Sequence, residues 1–400
     1  MKSFAISILF LLSLFLNILF ADTAVLLINV SLPYNTPENA DIFIVGNLPE
    51  FGSWQHTSKL DRISAKTAQK KITINYNPGE FIEYKYTLGS WDTVEKSKNN
   101  QEIQNRKIAI DIKSKQLKKI NDKIELWANL TNSVIKSTLS GNINFHKDFF
   151  SPELNNKRTI VVYLPPSYNS DSDKKFPVLY MHDGNNIFDA ATSFSGVEWK
   201  VDEVLERLQK SGKIKEVIVI GIYNNSQRVE EYTPFKDSKH GGGNGDKYLE
   251  FMVNTLKPFI DKTYRTLPDR DNTAICGSSL GGLISLYGLL KYQTIYGSGA
   301  AVSPSIWWAD KKILDFIKNS KIDFPIKLWT DMGTAEGGKK NTKTKLTYDI
   351  ENSRQLDKII SEKNVEKKIT YSYLEFKGAA HNEKAWSERI ERILLYFYKK

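Results

Sequence analysis

The sequence has one cysteine and five histidines in 400 residues. A single thiol excludes an internal disulfide framework and any Cys-rich zinc or iron–sulfur site, and nothing in the chain calls for a metal or another cofactor. Any histidine-dependent mechanism has only five places to reside. Glycine and proline, 23 and 13 residues, together fall below ordinary usage, which excludes collagen-like and low-complexity chains. Beyond the N-terminus no apolar run reaches the roughly 18 to 20 residues of a membrane-spanning helix. Acidic residues are outnumbered, 46 against 56 lysines and arginines, for a formal charge of +10. The lysines are spread along the chain, most densely at Lys113, Lys115, Lys118, Lys119 and Lys123. No Arg-rich helix or RNA-binding aromatic motif accompanies them, so they read as a solvated surface and not as a nucleic-acid site.

What is present begins with Lys2 and a nearly unbroken apolar run from Phe4 to Phe20, followed by the small-residue pattern Ala21-Asp-Thr-Ala24. This predicts a signal peptide over 1–21 and a secreted or periplasmic protein, with no membrane partner beyond that segment. Residues 22–112 read as a domain of short strands: Ala24 to Leu32, Ala40 to Val45, Lys71 to Tyr76, Phe81 to Leu88 and Lys107 to Ile112. Asn-Leu-Pro at 47–49 and Asn-Pro-Gly at 77–79 punctuate them, as in a β-sandwich. Residues 113–136 are polar and lysine-rich, and read as a linker or a short docking helix.

From 137 to 400 the pattern changes. Strands at Arg158 to Leu164, Phe176 to Met181, Val217 to Ile222, Ile326 to Thr330 and Ile369 to Phe376 alternate with helices. The helices carry Val201, Val204, Leu205 and Leu208, then Leu249 to Ile260, and finally Trp386, Ile390, Ile393 and Leu394. Such alternation predicts a mostly parallel α/β sheet with helices on both faces.

Gly277-Ser-Ser-Leu-Gly281 is a G-x-S-x-G pattern. The apolar strand Ala274-Ile-Cys276 runs directly into it, and Leu280, Leu283, Ile284, Tyr287 and Leu290 follow at helical spacing. Strand, sharp turn and helix expose a serine hydroxyl at a helix N-terminus, which makes Ser279 the candidate nucleophile. The Leu280 amide there can hold an oxyanion, and the Asn185 amide of His182-Asp-Gly-Asn-Asn186 is the candidate second donor. In this architecture the chain order is serine, acid, histidine. Of the five histidines only His381 follows Ser279, so it is the candidate base. Asp331 and Glu336, in the loop after the intervening strand, are both placed to be the acid. His182 is expected to fix its own loop, and Cys276 to be a small buried strand residue.

These motifs together resemble the serine esterase family of the α/β-hydrolase fold, which includes carbohydrate esterase family 1 feruloyl esterases, ferric enterobactin esterases and S-formylglutathione hydrolases. The likeness runs from about Ser137 to Lys400. It rests on Arg158 to Tyr168, Tyr180 to Phe188, Cys276 to Gly282, Val302-Ser-Pro-Ser305 and Ala380-His-Asn-Glu383. It implies a Ser279–His381 pair, and the family's Gly-Thr-x-acid pattern, matched by Gly333-Thr-Ala-Glu336, tilts the acid to Glu336. Residues 22–112 are similar to family 20 starch-binding modules through Phe43 to Trp54, Glu83-Tyr-Lys-Tyr86 and Asn105-Arg106. That likeness implies Trp54, Lys85 and Trp91 as glucan contacts, although the family's second Trp normally sits nearer the Asn-Arg pair. Trp199, Trp307 and Trp308 either line the substrate pocket or pack in the core. His240-Gly-Gly-Gly-Asn-Gly245 lacks the context of a phosphate loop and reads as a mobile loop near the site.

The expectation is a two-domain exported serine esterase acting on acyl groups on or near polysaccharide. Its rivals are a siderophore trilactone esterase, an acyltransferase, and a non-catalytic glucan-binding protein with a degenerate hydrolase domain.

Overall fold

The computed structural model describes residues 22–33, 35–76, 81–109, 117–130, 137–193, 196–337 and 340–400. The signal segment expected over 1–21 lies outside them. The strand Asp22–Ser31 buries Ala24, Leu26, Ile28 and Val30. A period of two turns these four to one face. The strand pairs antiparallel with Thr67–Tyr76 and parallel with Leu117–Lys123, in a sheet completed by Asp61–Ser64. A second sheet orders Ser58–Lys59, Phe43–Gly46, Phe81–Thr87 and Arg106–Ala109. Leu26, Ile28, Ile44, Phe51, Ile74, Tyr84 and Trp127 share one core, which makes the domain a sandwich.

One element departs from expectation. Within the stretch read as a linker or docking helix, Leu117–Lys123 is an edge strand of the sandwich, its half-buried Lys118, Ile120 and Asp122 alternating with exposed neighbours. Mostly polar side chains concealed the period of two. The Tyr84 and Tyr86 hydroxyls both donate to Asp122 Oδ2, at 2.7 and 2.8 Å, and Arg106 pairs with Asp122 and Glu95. These bonds tie the strand to the opposite sheet, and its lysines shield an otherwise open edge. Leu126–Trp127 then pairs with Glu95–Lys96.

Residues 137–400 are built on one eight-stranded sheet. Its strands in chain order are β1 (Asn142–Ser151), β2 (Asn156–Leu164), β3 (Val178–His182), β4 (Ile218–Ile222), β5 (Thr273–Ser278), β6 (Ser298–Val302), β7 (Ile326–Gly333) and β8 (Ile369–Phe376). Their spatial order is β1-β2-β4-β3-β5-β6-β7-β8, antiparallel from β1 through β4 and parallel from there on. One face packs on helices α1 (Val201–Lys210) and α3 (Ile390–Tyr398), through Val161, Tyr163, Leu179 and Val219. The other packs on α2 (Leu280–Lys291) and the helical stretch 245–263, through Ile160, Val162, Tyr180 and Ile220. Covered faces explain why β3 and β4 are unbroken apolar runs. The fold is that of an α/β-hydrolase.

Strand β6 was not expected, because Ser298-Gly-Ala-Ala-Val302 carries almost no β-branched residues. Its small side chains answer a packing demand. A Cβ on Gly299 would lie 2.9 Å from Leu289 Cδ2 of α2.

Candidate active site

Ser279 stands between β5 and α2 with φ 58° and ψ −122°, a conformation non-glycine residues rarely adopt. The surrounding glycines let that turn close. A Cβ on Gly277 would lie 2.8 Å from both the Gly281 carbonyl carbon and His182 Cδ2, and one on Gly282 would lie 2.9 Å from the Val302 carbonyl oxygen. Backbone bonds of 3.0 Å, from Ser279 N to Val302 O and from Ser305 N to Ser279 O, lock the strained residue to the end of β6. Ser279 Oγ lies 3.3 Å from Ser305 Oγ. That hydroxyl, and not His381, is its hydrogen-bond partner among the described residues. Leu280 opens α2, where the first N–H groups have no partner within the helix.

His381 follows β8 in the loop expected to carry it, and its side chain is 40% exposed. Its Nδ1 is 2.7 Å from Glu336 Oε2. The other Glu336 oxygen accepts from Ser303 Oγ at 2.7 Å, Gly333 N at 2.8 Å and Arg389 Nη2 at 3.1 Å. Burial opposes the Glu336 charge, but His381, Ser303 and Arg389 outweigh it and hold the carboxyl below its ordinary range. Burial likewise opposes the His381 cation, and Glu336, joined by Asp349 and Glu383, raises its pKa instead.

Asp331 is fully buried near the end of β7. It accepts from Arg389 Nη1 and Trp329 Nε1, each at 2.8 Å. Burial pushes it up to about 6, with Arg389 pulling the other way. Of the two candidate acids, Glu336 is the one brought to the histidine. Arg389, 1% exposed, bonds to both carboxylates and to Ser303 Oγ. It is the cation that lets two buried acids lie side by side.

Asn185 lies in the turn after β3, which is held by Asp183 in a left-handed conformation. The Arg228 guanidinium grips Asp183 at 2.7 and 2.8 Å and, against the effect of burial, keeps its carboxyl ionised. His182 lies beneath the serine turn, buried, with Nδ1 2.8 Å from Tyr248 Oη. Burial pulls its pKa down to about 3, so it is a neutral packing residue. Cys276 is fully buried, and its thiol is pushed upward by that burial.

The three tryptophans of the expected pocket separate. Trp199 and Trp308 are buried at 3% exposure each, and Trp307 is 42% exposed. Trp386, which periodicity assigned to a core helix, stands edge-on to His381 at 4.9 Å and donates to Ser303 Oγ at 3.2 Å. In the sandwich, Trp54 and Trp91 lie 6.3 Å apart with planes tilted by 34°. Lys85, expected as a glucan contact, is instead buried and paired with Glu102 at 3.1 Å.

Among the described residues, one group has metal-ligand spacing: Glu198, Asp202 and Glu203, with ligand oxygens within 4.8 Å of one another. Burial pushes Glu198 up to about 7, and burial with the Glu203 hydrogen bond pushes Asp202 up to about 8, so their charged forms are disfavoured in this structure. No helix among the described residues is long and apolar enough to cross a membrane.

Residues 151–397 match the Esterase family, and residues 25–120 match the starch-binding domain family. The chain belongs to the Esterase family. This esterase is 27% identical over 249 residues to the uncharacterized protein YbbA of Bacillus subtilis, covering 61% of its own length and 93% of YbbA. It is 29% identical over 152 residues to an endo-1,4-beta-xylanase/feruloyl esterase of Xylanibacter ruminicola, a match spanning 37% of the esterase and 20% of that protein. Its sandwich matches an amylopullulanase of Thermoanaerobacter thermohydrosulfuricus at 35% identity over 99 residues, 25% of the esterase and 6% of that protein. Among solved structures, the enterobactin esterase FES from Shigella flexneri aligns over 89% of the esterase and 87% of FES, with a TM-score of 0.52 at 12% identity, a likeness of fold. The esterase is a serine carboxylic ester hydrolase carrying a starch-binding domain.

Proposed function

We propose that Ser279, His381 and Glu336 form the catalytic triad of an exported esterase that removes acyl groups from polysaccharide or from esters close to it. The observation that carries this reading is the 2.7 Å bond from His381 Nδ1 to Glu336 Oε2 in a domain whose strand–helix turn strains Ser279. The starch-binding match and the likeness to a feruloyl esterase support the polysaccharide and the acyl class. The apolar segment at 4–20 supports export.

In the proposed reaction Ser279 Oγ exchanges Ser305 for His381 as its partner and attacks the ester carbonyl carbon, passing its proton to His381 Nε2. The N–H groups of Leu280 and Asn185 receive the oxyanion. Collapse of the tetrahedral intermediate expels the alcohol, which takes the proton from His381. Water then repeats the sequence on the acyl-serine and releases the acid. Glu336 keeps the proton of neutral His381 on Nδ1 and stabilises the imidazolium that forms.

The test compares wild type with Ser279→Ala on p-nitrophenyl acetate, methyl ferulate and ferric enterobactin. The expected result is a loss of roughly ten-thousandfold or more in kcat for the variant on the preferred substrate. Equal turnover by both proteins removes Ser279 from the mechanism. Preference for ferric enterobactin transfers the reading to siderophore trilactones.

A further inference from the structure

The glycine-rich loop at 237–245 has no part in the chemistry above, yet it touches both domains. Asp237 and Gly241 close it by paired backbone bonds of 2.7 and 3.1 Å, and Gly241, Gly242 and Gly243 all take positive φ. A Cβ on Gly242 would lie 2.7 Å from Trp308 Cζ2, so the loop needs glycine to sit against the tryptophan pair. It is a built element.

On the esterase side, Asp237 Oδ2 accepts from Ala309 N at 3.1 Å, and Trp308 Nε1 donates to Phe235 O at 2.7 Å. Ala309, Asp310 and Lys311 all have positive φ, so the segment after the exposed Trp307 is a left-handed turn that these bonds hold in place. The His240 ring stands edge-on to Trp307 at 5.7 Å. Trp307 is two residues beyond Ser305, whose hydroxyl contacts Ser279 Oγ.

On the sandwich side, Ser53 Oγ donates to Lys239 O at 3.1 Å. Ser53 precedes Trp54, and Gly52, Ser53 and Trp54 form a second turn of positive φ, at 80°, 48° and 67°. A bulky aromatic in that region is a true outlier, which the turn around it holds in place. The Trp54 turn and the Trp307 turn therefore meet through one loop. A second approach lies beyond His381, where Glu383 is within electrostatic reach of Lys96 and Glu102 of the sandwich.

We propose that the two domains share one carbohydrate-binding surface, on which the Trp54–Trp91 platform, His240 and Trp307 hold a single α-glucan chain so that its ester substituent reaches Ser279. This rests on the esterase reading of Ser279. Aromatic faces at both ends stack on the C–H faces of successive sugars, and the esterified sugar lies beyond Trp307. The starch-binding domain thereby selects which ester is cleaved, a role distinct from tethering the enzyme to a granule.

The test uses the full chain and soluble acetylated malto-oligosaccharides, for which tethering to a solid gives no advantage. The readout is the ratio of kcat/KM on these to kcat/KM on p-nitrophenyl acetate. Trp54→Ala and Trp307→Ala are each expected to lower the ratio roughly tenfold to a hundredfold, mainly through KM, and unsubstituted maltoheptaose is expected to compete. Trp54→Tyr, which restores an aromatic face, is expected to recover most of the loss and so separates stacking from misfolding. Loss of starch retention by Trp54→Ala with an unchanged ratio overturns the shared surface and leaves a tether. Wild-type turnover of p-nitrophenyl acetate but not of the acetylated oligosaccharides also overturns it, with the esterase reading intact. Full activity of Ser279→Ala on p-nitrophenyl acetate is the separate result that removes the underlying esterase reading.

Discussion

Ser279 and Trp54, the proposed nucleophile and the proposed stacking residue, both sit in turns of positive φ, and the two turns are secured in different ways. The Ser279 turn is bracketed by β5, α2 and the end of β6, with buried His182 packed beneath it and two backbone bonds tying Ser279 to Val302 and Ser305. The Trp54 turn closes on itself, through Ser53 N to Leu48 O at 3.0 Å and Gln55 N to Gly52 O at 2.8 Å. Its side-chain bond to the other domain, among the described residues, is the exposed contact of Ser53 with Lys239. Under the proposed roles, chemistry that must place an oxygen to a fraction of an ångström is held by the core, and a stacking surface that tolerates sliding is held by local bonds.

The largest expected effect tests how tightly the catalytic side is held. Glu336→Gln, which keeps shape but removes the charge facing His381, should lower kcat roughly a thousandfold to ten-thousandfold, and Asp331→Asn less than about tenfold. Steady-state kinetics of the two variants decide it, and the reverse order would transfer the acid role to Asp331. Next, Arg389→Leu strands both carboxylates in the core and should destabilise the fold by about 3–5 kcal/mol in urea titration. A smaller loss would mean that the Ser279 region is less dependent on its buried ion cluster than the contacts imply.

A third expectation concerns pH. Glu336 raises the folded-state pKa of His381, and the base must be neutral, so kcat/KM should climb with pH through a midpoint above the ordinary histidine value of about 6.5. The same shift stabilises the folded state fully below that ordinary value, and the benefit fades as pH rises through the folded midpoint. Glu336→Gln should move the kinetic midpoint downward, and an unmoved midpoint would assign it to another group. The smallest effect belongs to the Trp54 turn. Ser53→Ala should cost about 0.5–1 kcal/mol locally, read as faster hydrogen exchange around residues 50–55. Global destabilisation as large as that of Arg389→Leu would erase the contrast between the two turns.

How much of this was legible in the sequence follows from how far apart the interacting residues lie. The strand–turn–helix around Ser279 is local, so β5, the elbow and α2 read directly from glycine placement and apolar spacing. His381 followed from chain order and scarcity. Arg389 carried no such signal, because a polar position in an amphipathic C-terminal helix looks solvent-facing until β7 packs against it. Trp386 read as core and is core, but its edge also meets His381. The strand Leu117–Lys123 was hidden by lysines, and Lys85 read as a surface donor until Glu102 folded over it.

The sequence by itself determined the hydrolase and sandwich patterns and the strand–turn–helix at Ser279, which rest on residues close in the chain, while chain order and scarcity singled out His381. Tertiary structure decided that Glu336 and not Asp331 meets His381, a choice the residues left even and the family resemblance only tilted, that Arg389 bonds to both, and that the Trp54 turn touches the loop beside Trp307. Each of those outcomes depends on side chains tens to hundreds of residues apart in the chain, whose charges and ring faces interact only once the sheet has ordered the strands that carry them.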